Sequence, residues 1–579
     1  MRVRITVLAF FLVLVAFPAS SQDDFIREPD VAVPMRDGVV LRADVWRPRG
    51  PGPFPTLVYR TPYSRREAVE SYTIFRSAVE RGYAVVIQDV RGRYDSGGEY
   101  VAYRNEGRDG YDTIEWAAAQ PWSNGKVGTF GLSYPGAVQW LAALESPPHL
   151  VAMVPAMTYH TPRNFFYSGG VFDLSWIGWI WNNIAPDTRA RKNLPGPRTD
   201  DEVAAEWERS RDRMRHHLPL STLPDLKDVA PFYYEWMRHP PADSWWDWAE
   251  LRGNFGKTQA AVLNLSGWHD EAYGPDGAVN NFAGLVAARS GAQRTTVLVG
   301  PWVHGVKAIS RTKSGEREFG PDAALDYDQI VLRWMDHYLR GIENGVEREK
   351  PVRVFAMGAN RWREYDAWPP PATQTSFFLA TDQKKMGSLH SKPVRAARSF
   401  SEFLSDPAAP VSDPFAQTTG AHDYRALVGR PDVLVFDSEP LSQAMEVTGP
   451  IRAEIYFSCD APDTDLWARL LDVAPDGSAF NLMSPGLDVL RASYALGHKL
   501  VPGRIYRLDF TNLLTSNRFE KGHRIRVQVS TAFFPHMSHN LHTGKSEIDS
   551  AEMRKATVRI YHDRVRRSRI VLPVVSQGD

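Results

Sequence analysis

The chain has 579 residues, 43% hydrophobic and 23% charged, a balance that suits a folded protein and excludes a mostly disordered, collagenous or many-span membrane chain. Lys plus Arg and Asp plus Glu both number 68, so no excess of positive charge points to a nucleic-acid partner. The single cysteine, Cys459, excludes an intramolecular disulfide framework and any cysteine-built metal or iron–sulfur centre.

Arg2 and Arg4 precede an apolar run from Val7 to Phe17, which ends in Pro18-Ala-Ser-Ser21. That is the layout of a secretory signal, with Ala19 and Ser21 small enough for cleavage before Gln22. The run falls short of the about twenty residues of a membrane anchor, and no cysteine follows it to take a lipid. Residues 1–21 are expected to be removed and the mature chain exported, periplasmic or secreted, with no stable membrane span.

Residues 30–47 read as a hairpin turning at Asp37-Gly38, followed by a strand at Pro55–Tyr59 and a helix over 66–80. Tyr83–Asp89 is a buried strand, 108–120 a helix and Lys126–Phe130 another strand. This alternation predicts a mostly parallel sheet with helices on both faces. From 158 to 256 the short apolar strands stop. Trp176, Trp179, Trp181, Trp207, Trp236, Trp245, Trp246 and Trp248 appear instead, with helices expected at 200–216 and 228–238. This segment reads as a helical cap over the sheet's carboxyl edge. Strands return at Ala260–Leu265 and Thr295–Val299, then a helix at 323–339 and a strand at Val352–Met357.

Past the junction Trp368-Pro-Pro-Pro371 the period changes again. Phe377–Leu379, Val433–Phe436, Ile451–Phe457, Asp465–Val473, Ile505–Phe510, His523–Thr531 and Ala556–His562 are short runs separated by turn clusters. They predict an antiparallel sandwich or jelly roll. The expected division is a signal at 1–21, a core in two parts at 22–157 and 257–371, a cap at 158–256 and a C-terminal β domain at 372–579. Cys459 falls in an expected strand of that last domain, as a buried thiol without redox or catalytic work.

One stretch carries chemistry. A strand runs into Gly131-Leu-Ser-Tyr-Pro-Gly136 and an apolar-faced helix follows. A serine on such a strand-to-helix turn holds its hydroxyl above the sheet, beside the N–H groups of the helix start. Pro135 takes the place of the second glycine of G-x-S-x-G, and Gly136 comes one later. A serine nucleophile needs a base and the base an orienting carboxylate. Strand 260–265 leads into Ser266-Gly-Trp-His-Asp270, and strand 295–299 into Gly300-Pro-Trp-Val-His304. Asp270 and His304 then stand on the same sheet edge as Ser133, in the chain order serine, acid, histidine. Asp276 and Glu271 are rival orienting acids, and His269 is expected to line the site. His269, Asp270 and His304 are metal-ligand types, but nothing in the sequence suggests a third histidine ligand and there is no H-E-x-x-H run, so neither metal nor cofactor is expected. The Tyr134 N–H and, from Arg60-Thr-Pro-Tyr63, the Tyr63 phenol are candidate oxyanion donors.

These motifs, with Met35-Arg-Asp-Gly38, Asp89-Val-Arg-Gly-Arg93, Thr515-Ser-Asn517 and Gly522-His-Arg-Ile-Arg526, resemble the X-Pro dipeptidyl-peptidase-like (CocE/NonD) serine hydrolases over nearly the whole mature chain. In that family G-x-S-Y-x-G is the usual elbow. The resemblance implies an α/β class: an α/β-hydrolase core, an inserted helical cap and a C-terminal jelly-roll (galactose-binding-like) domain. It also implies Ser133 as nucleophile, Asp270 as orienting acid, His304 as base, and Tyr63 with the Tyr134 N–H as oxyanion hole. The amino-acid ester hydrolases of the family hold the substrate ammonium with an acidic cluster that includes a Glu-Asp pair just past the catalytic acid. Here Asp270 is followed by Glu271-Ala-Tyr273, and no equivalent is evident.

The expected function is an exported hydrolase of small-molecule acyl esters, with amides second, working through an acyl-enzyme. Trp176, Trp179 and His269 are expected to line its substrate pocket. Alternatives are an amide acylase, an α-amino-acid ester hydrolase or an X-Pro dipeptidyl-peptidase, and, in another class, a non-catalytic carbohydrate- or peptide-binding protein. Homo-oligomer formation stays open.

Overall fold

The computed structural model describes residues 24–289, 295–381, 386–484 and 487–576. The signal segment expected at 1–21 lies outside the described residues. One ten-stranded sheet organises the first part of the chain. In chain order its strands are β1 (Phe25–Pro34), β2 (Val40–Pro48), β3 (Phe54–Thr61), β4 (Ala84–Asp89), β5 (Ser123–Leu132), β6 (Leu150–Ala156), β7 (Ala261–His269), β8 (Thr295–Val303), β9 (Val352–Ala356) and β10 (Arg361–Tyr365). Across the sheet they run β1-β2-β4-β3-β5-β6-β7-β8-β9-β10. Only β2 and β10 run against the rest.

The side-chain period explains why both faces are covered. Val58 of β3 and Val86 of β4 pack with Ile114 and Leu141, while their neighbours Leu57, Val85 and Ile87 pack with Val331 and Met335. Alternate residues of a strand face opposite layers, so each face needs its own helices. The longer helices are, in chain order, α1 (Glu106–Ala118), α2 (Tyr134–Leu144), α3 (Asp200–Arg215), α4 (Asp276–Ala288) and α5 (Tyr327–Arg340); α1, α2, α4, α5 and the short helix Ile74–Glu80 cover the sheet, and α3 lies outside its layers. Every residue of β4 and of β7 is buried, as a strand covered on both faces requires. The hairpin at Asp37-Gly38 forms, with Gly38 at φ +83°. The helix expected over 66–80 is instead two, Arg65–Ser71 and Ile74–Glu80, interrupted where Tyr72 turns extended (φ −122°, ψ 128°).

Between β6 and β7 the chain forms helices at Ser175–Trp179, Ala185–Lys192, α3 and Pro231–Arg238, with a π-helical turn at Ile180–Ile184. A capping box starts α3: Thr199 Oγ1 accepts the Glu202 N–H, and Glu202 answers at the Thr199 N–H. No helix among the described residues is long and apolar enough to cross a membrane.

From Thr373 on the chain is a separate β-rich domain of twelve strands. Its longest strand, Met445–Cys459, pairs antiparallel with Tyr506–Phe519, and one parallel pair joins Gly387–His390 to Leu434–Ser438. Cys459 is 1% exposed, and burial pushes its thiol up to about 12. This domain does not hang free. One apolar cluster joins Trp268, Phe282, Val297 and Val299 of the first part to Phe377, Val447, Ile451 and Leu513 of the second. The Met357 N–H donates to Ser516 O (2.9 Å), the Arg518 N–H donates to Met357 O (2.7 Å), and Arg363 pairs with Glu446 (2.7 Å).

Candidate active site

Ser133 follows the last residue of β5, Asp270 that of β7 and His304 that of β8. These strands are parallel, so all three residues stand on one edge of the sheet. Ser133 sits at φ +71°, ψ −127°, a strained conformation for any residue with a Cβ. Two glycines permit the turn. A Cβ on Gly131 would lie 2.5 Å from Pro135 Cβ, and one on Gly136 would lie 2.6 Å from the Ala156 carbonyl of β6. Close passage over β6 is thus needed at Gly136, one position past the usual second glycine, and Pro135 fits because it stands in the first turn of α2.

His304 Nδ1 lies 2.8 Å from Asp270 Oδ1. Asp270 is wholly buried and also accepts the Ala272 N–H. Burial alone would push the His304 imidazolium down. The charge and hydrogen bond of Asp270, with the charge of Glu271, outweigh it, and the pKa is raised. The rival acids do other things. Glu271 accepts the backbone N–H of His304 (3.1 Å), and Asp276 has Asn164 and the Gly277 N–H as partners.

Two phenols face the serine. Tyr63 and Tyr273 both have Ser133 as a side-chain hydrogen-bond partner. The Tyr273 ring also stacks on His304 at 5.7 Å, which ties serine and imidazole into one site. Burial raises the Tyr63 hydroxyl to about 12, against the lowering effect of its bonds to Trp179 and Ser133, so it keeps its proton at neutral pH. The Tyr134 N–H is the first of α2, among the amides that a helix start leaves without an intrahelical carbonyl. The Tyr134 phenol donates to Glu106 Oε1 (2.7 Å), and Arg60 pairs with the other oxygen of Glu106 (2.9 Å).

The expected pocket residues part company. Trp176 is buried among Phe165, Phe166 and Trp236, a packing place. Trp179 is half-buried, and its indole N–H donates to the Tyr63 hydroxyl (2.9 Å). His269 is 0% exposed and packs near Phe319, with Arg317 and His422 as its charged neighbours. The expectation that it lines the pocket is corrected: it lies within β7, among buried side chains.

Sequence reasoning also missed a carboxyl-lined cavity of about 80 Å³, bounded by Asp173, Glu271, Tyr273, Asp276 and Asp488. Burial pushes Asp276 up to about 7 and Asp488 up to about 6, and raises Asp173 and Glu271 as well. The four acids come from the segment between β6 and β7, the loop and helix after β7, and the C-terminal domain, so no local motif announces them. Tyr273 both lines this cavity and faces Ser133.

An elbow serine and a carboxylate-held imidazole on one edge of a mostly parallel sheet, with a separate β-rich domain behind, set the class as a two-domain α/β protein of serine-hydrolase type. Residues 37–306 match the X-Pro dipeptidyl-peptidase (S15) family, and residues 344–571 match the X-Pro dipeptidyl-peptidase C-terminal non-catalytic domain. Cocaine esterase of Rhodococcus sp. (strain MB1 Bresler) is 32% identical, over 95% of this chain and 98% of its own length. The chain belongs to the CocE/NonD, X-Pro dipeptidyl-peptidase-like family of serine hydrolases. Among solved structures, an α-amino-acid ester hydrolase is 25% identical with a TM-score of 0.78, covering 98% of this chain and 100% of its own. An aminopeptidase from the marine sediment archaeon Thaumarchaeota archaeon shares the fold, at 23% identity and a TM-score of 0.78 over 98% of this chain and 99% of its own.

Proposed function

We propose that the protein is an exported serine hydrolase that cleaves acyl esters through an acyl-enzyme on Ser133. The observation that carries this is the 2.8 Å pairing of His304 with the buried Asp270, at the same sheet edge as the strained Ser133. In this reading Ser133 turns from the phenols toward His304 Nε2, which takes its proton as the hydroxyl attacks the ester carbonyl. Asp270 holds the ring with Nδ1–H toward itself. The Tyr63 hydroxyl and the Tyr134 N–H stabilise the oxyanion, a role that removal of one donor exposes as a loss of about 10²–10³ in kcat. His304 then protonates the leaving alcohol and activates the water that frees the acid. Esters come before amides because an alkoxide leaves with less help than an amine. In the same reading the sheet domain is an α/β-hydrolase core under a helical cap, and the C-terminal domain is a jelly roll that supports it.

The carboxyl-lined cavity favours a second reading within the class, an ester whose acyl part carries a cationic amine. Rates on p-nitrophenyl acyl esters, on α-aminoacyl esters with free and N-acylated amines, and on X-Pro anilides separate the two. Fastest turnover of simple acyl esters supports the first reading. A free-amine ester turned over faster than its N-acyl form supports the second. Hydrolysis confined to X-Pro anilides sinks both.

A further inference from the structure

The cap reaches the chemistry through one side chain. Trp179 ends the helix Ser175–Trp179, where the backbone widens into the π-helical turn Ile180–Ile184. Single π turns inside helices re-aim a side chain and recur at functional sites. Here Trp179 is the residue just before the turn. Its indole N–H donates to the Tyr63 oxygen at 2.9 Å, and its ring lies nearly parallel to that of Tyr134, with centroids 6.1 Å apart and a 10° interplanar angle. A phenol oxygen that already accepts an N–H has its own single proton left to donate. With the indole N–H on its oxygen, the Tyr63 hydroxyl has its proton available for its partner Ser133, the direction an oxyanion donor must face.

A second, independent feature holds the two backbones in register. Arg93 is 0% exposed and binds both pieces at once. Its Nε–H donates to the carbonyl of Pro62, the residue before Tyr63 (2.9 Å), and its terminal nitrogens donate to the carbonyls of Asn183 and Ile184 in the π turn (2.8 Å each). Asp187 stands 3.3 Å away as its counter-charge. A rigid planar fork suits three carbonyls set at fixed angles, which an ammonium does not match.

We propose that Trp179 is a positioning residue for Tyr63, so that the cap completes the oxyanion hole instead of only walling the substrate pocket. This rests on the reading of Tyr63 as an oxyanion donor. The test is a double-mutant cycle on p-nitrophenyl acetate, with Trp179→Phe, Tyr63→Phe and the pair, each checked for an unchanged melting transition. A third variant replaces Trp179 by benzothienylalanine, which keeps the bicyclic shape and substitutes sulfur for N–H. Trp179→Phe and the benzothienyl variant are each expected to lose about tenfold in kcat with KM unchanged, the scale of one hydrogen bond. In the Tyr63→Phe background the loss should vanish. Equal losses in both backgrounds, full kcat in the benzothienyl variant, or a raised KM with kcat retained would each overturn the proposal and make Trp179 a pocket wall. If Tyr63→Phe itself keeps full kcat, the oxyanion reading of Tyr63 falls and the role of Trp179 falls with it. If Tyr63→Phe loses kcat while Trp179→Phe does not, only the role of Trp179 falls.

Discussion

His304 holds its Nδ1 2.8 Å from an Asp270 oxygen while the two residues differ sharply in access to water: the imidazole side chain is 22% exposed and the carboxylate 0%. The ring can exchange protons with substrate and solvent, and its partner cannot. In the proposed mechanism, a buried carboxylate against a part-exposed imidazole fixes the tautomer and stabilises the imidazolium that forms during attack.

This pairing sets the pH dependence. In the proposed mechanism catalysis needs neutral His304, and its pKa is raised because the pull of Asp270 and Glu271 exceeds the cost of burial. The acid limb of kcat/KM should therefore lie above the ordinary histidine value of about 6.5. Asp270→Asn should move the limb to lower pH and reduce kcat by about 10⁴. Glu271→Gln should move it the same way while leaving most of the plateau rate. A limb at or below about 6.5 in the unaltered protein would contradict the geometry. The sign for stability is opposite in direction: a raised folded-state pKa stabilises fully below the unfolded value, and that contribution fades as pH rises through the folded one.

Strain at Ser133 gives a stability prediction. At φ +71°, ψ −127° any side chain is disfavoured, by about 1–3 kcal/mol. Ser133→Ala keeps the Cβ and the strain, whereas Ser133→Gly releases it. Thermal or urea unfolding should show the glycine variant more stable than the alanine variant by about 1 kcal/mol, less than the full strain because glycine also loosens the unfolded chain. An alanine variant that equals or exceeds it would mean the elbow is relaxed.

The C-terminal domain should prove indispensable to the sheet domain. Trp268 and Val299 share one apolar cluster with Phe377 and Ile451, so removal of everything past residue 370 bares that face to water. A 22–370 fragment is expected to be insoluble or inactive although Ser133, Asp270 and His304 remain. A soluble, fully active fragment, seen by gel filtration and esterase assay, would show the two parts to be independent.

How much of this was legible in the sequence depends on how locally each feature is encoded. Ser133, Asp270 and His304 each end a short apolar run, so strand-end position and residue type marked them together. The hairpin at Asp37-Gly38 and the antiparallel pairing of Met445–Cys459 were legible for the same reason: turn chemistry and alternation are local. Features built by tertiary contact were not. Glu106 meets the Tyr134 phenol across 28 residues, and Arg93 reaches Asn183 and Ile184 across 90 and 91. The acidic cavity draws on positions from 173 to 488. Trp179 stood out by composition, but that its N–H meets Tyr63 is a contact across 116 residues that no periodicity foretells. His269 shows the converse error: nearness in sequence to Asp270 suggested the pocket, and the strand that carries it keeps it inside.

Labelling with a fluorophosphonate probe, followed by mass-spectrometric mapping of the modified peptide, tests the central claim most directly. Such probes phosphorylate a serine only where a base activates it and an oxyanion site receives the phosphoryl oxygen. The expected result is one adduct, on Ser133, that is lost in Ser133→Ala together with ester hydrolysis and sharply slowed in His304→Ala. An adduct on another residue, or esterase activity that survives in Ser133→Ala, would contradict the account.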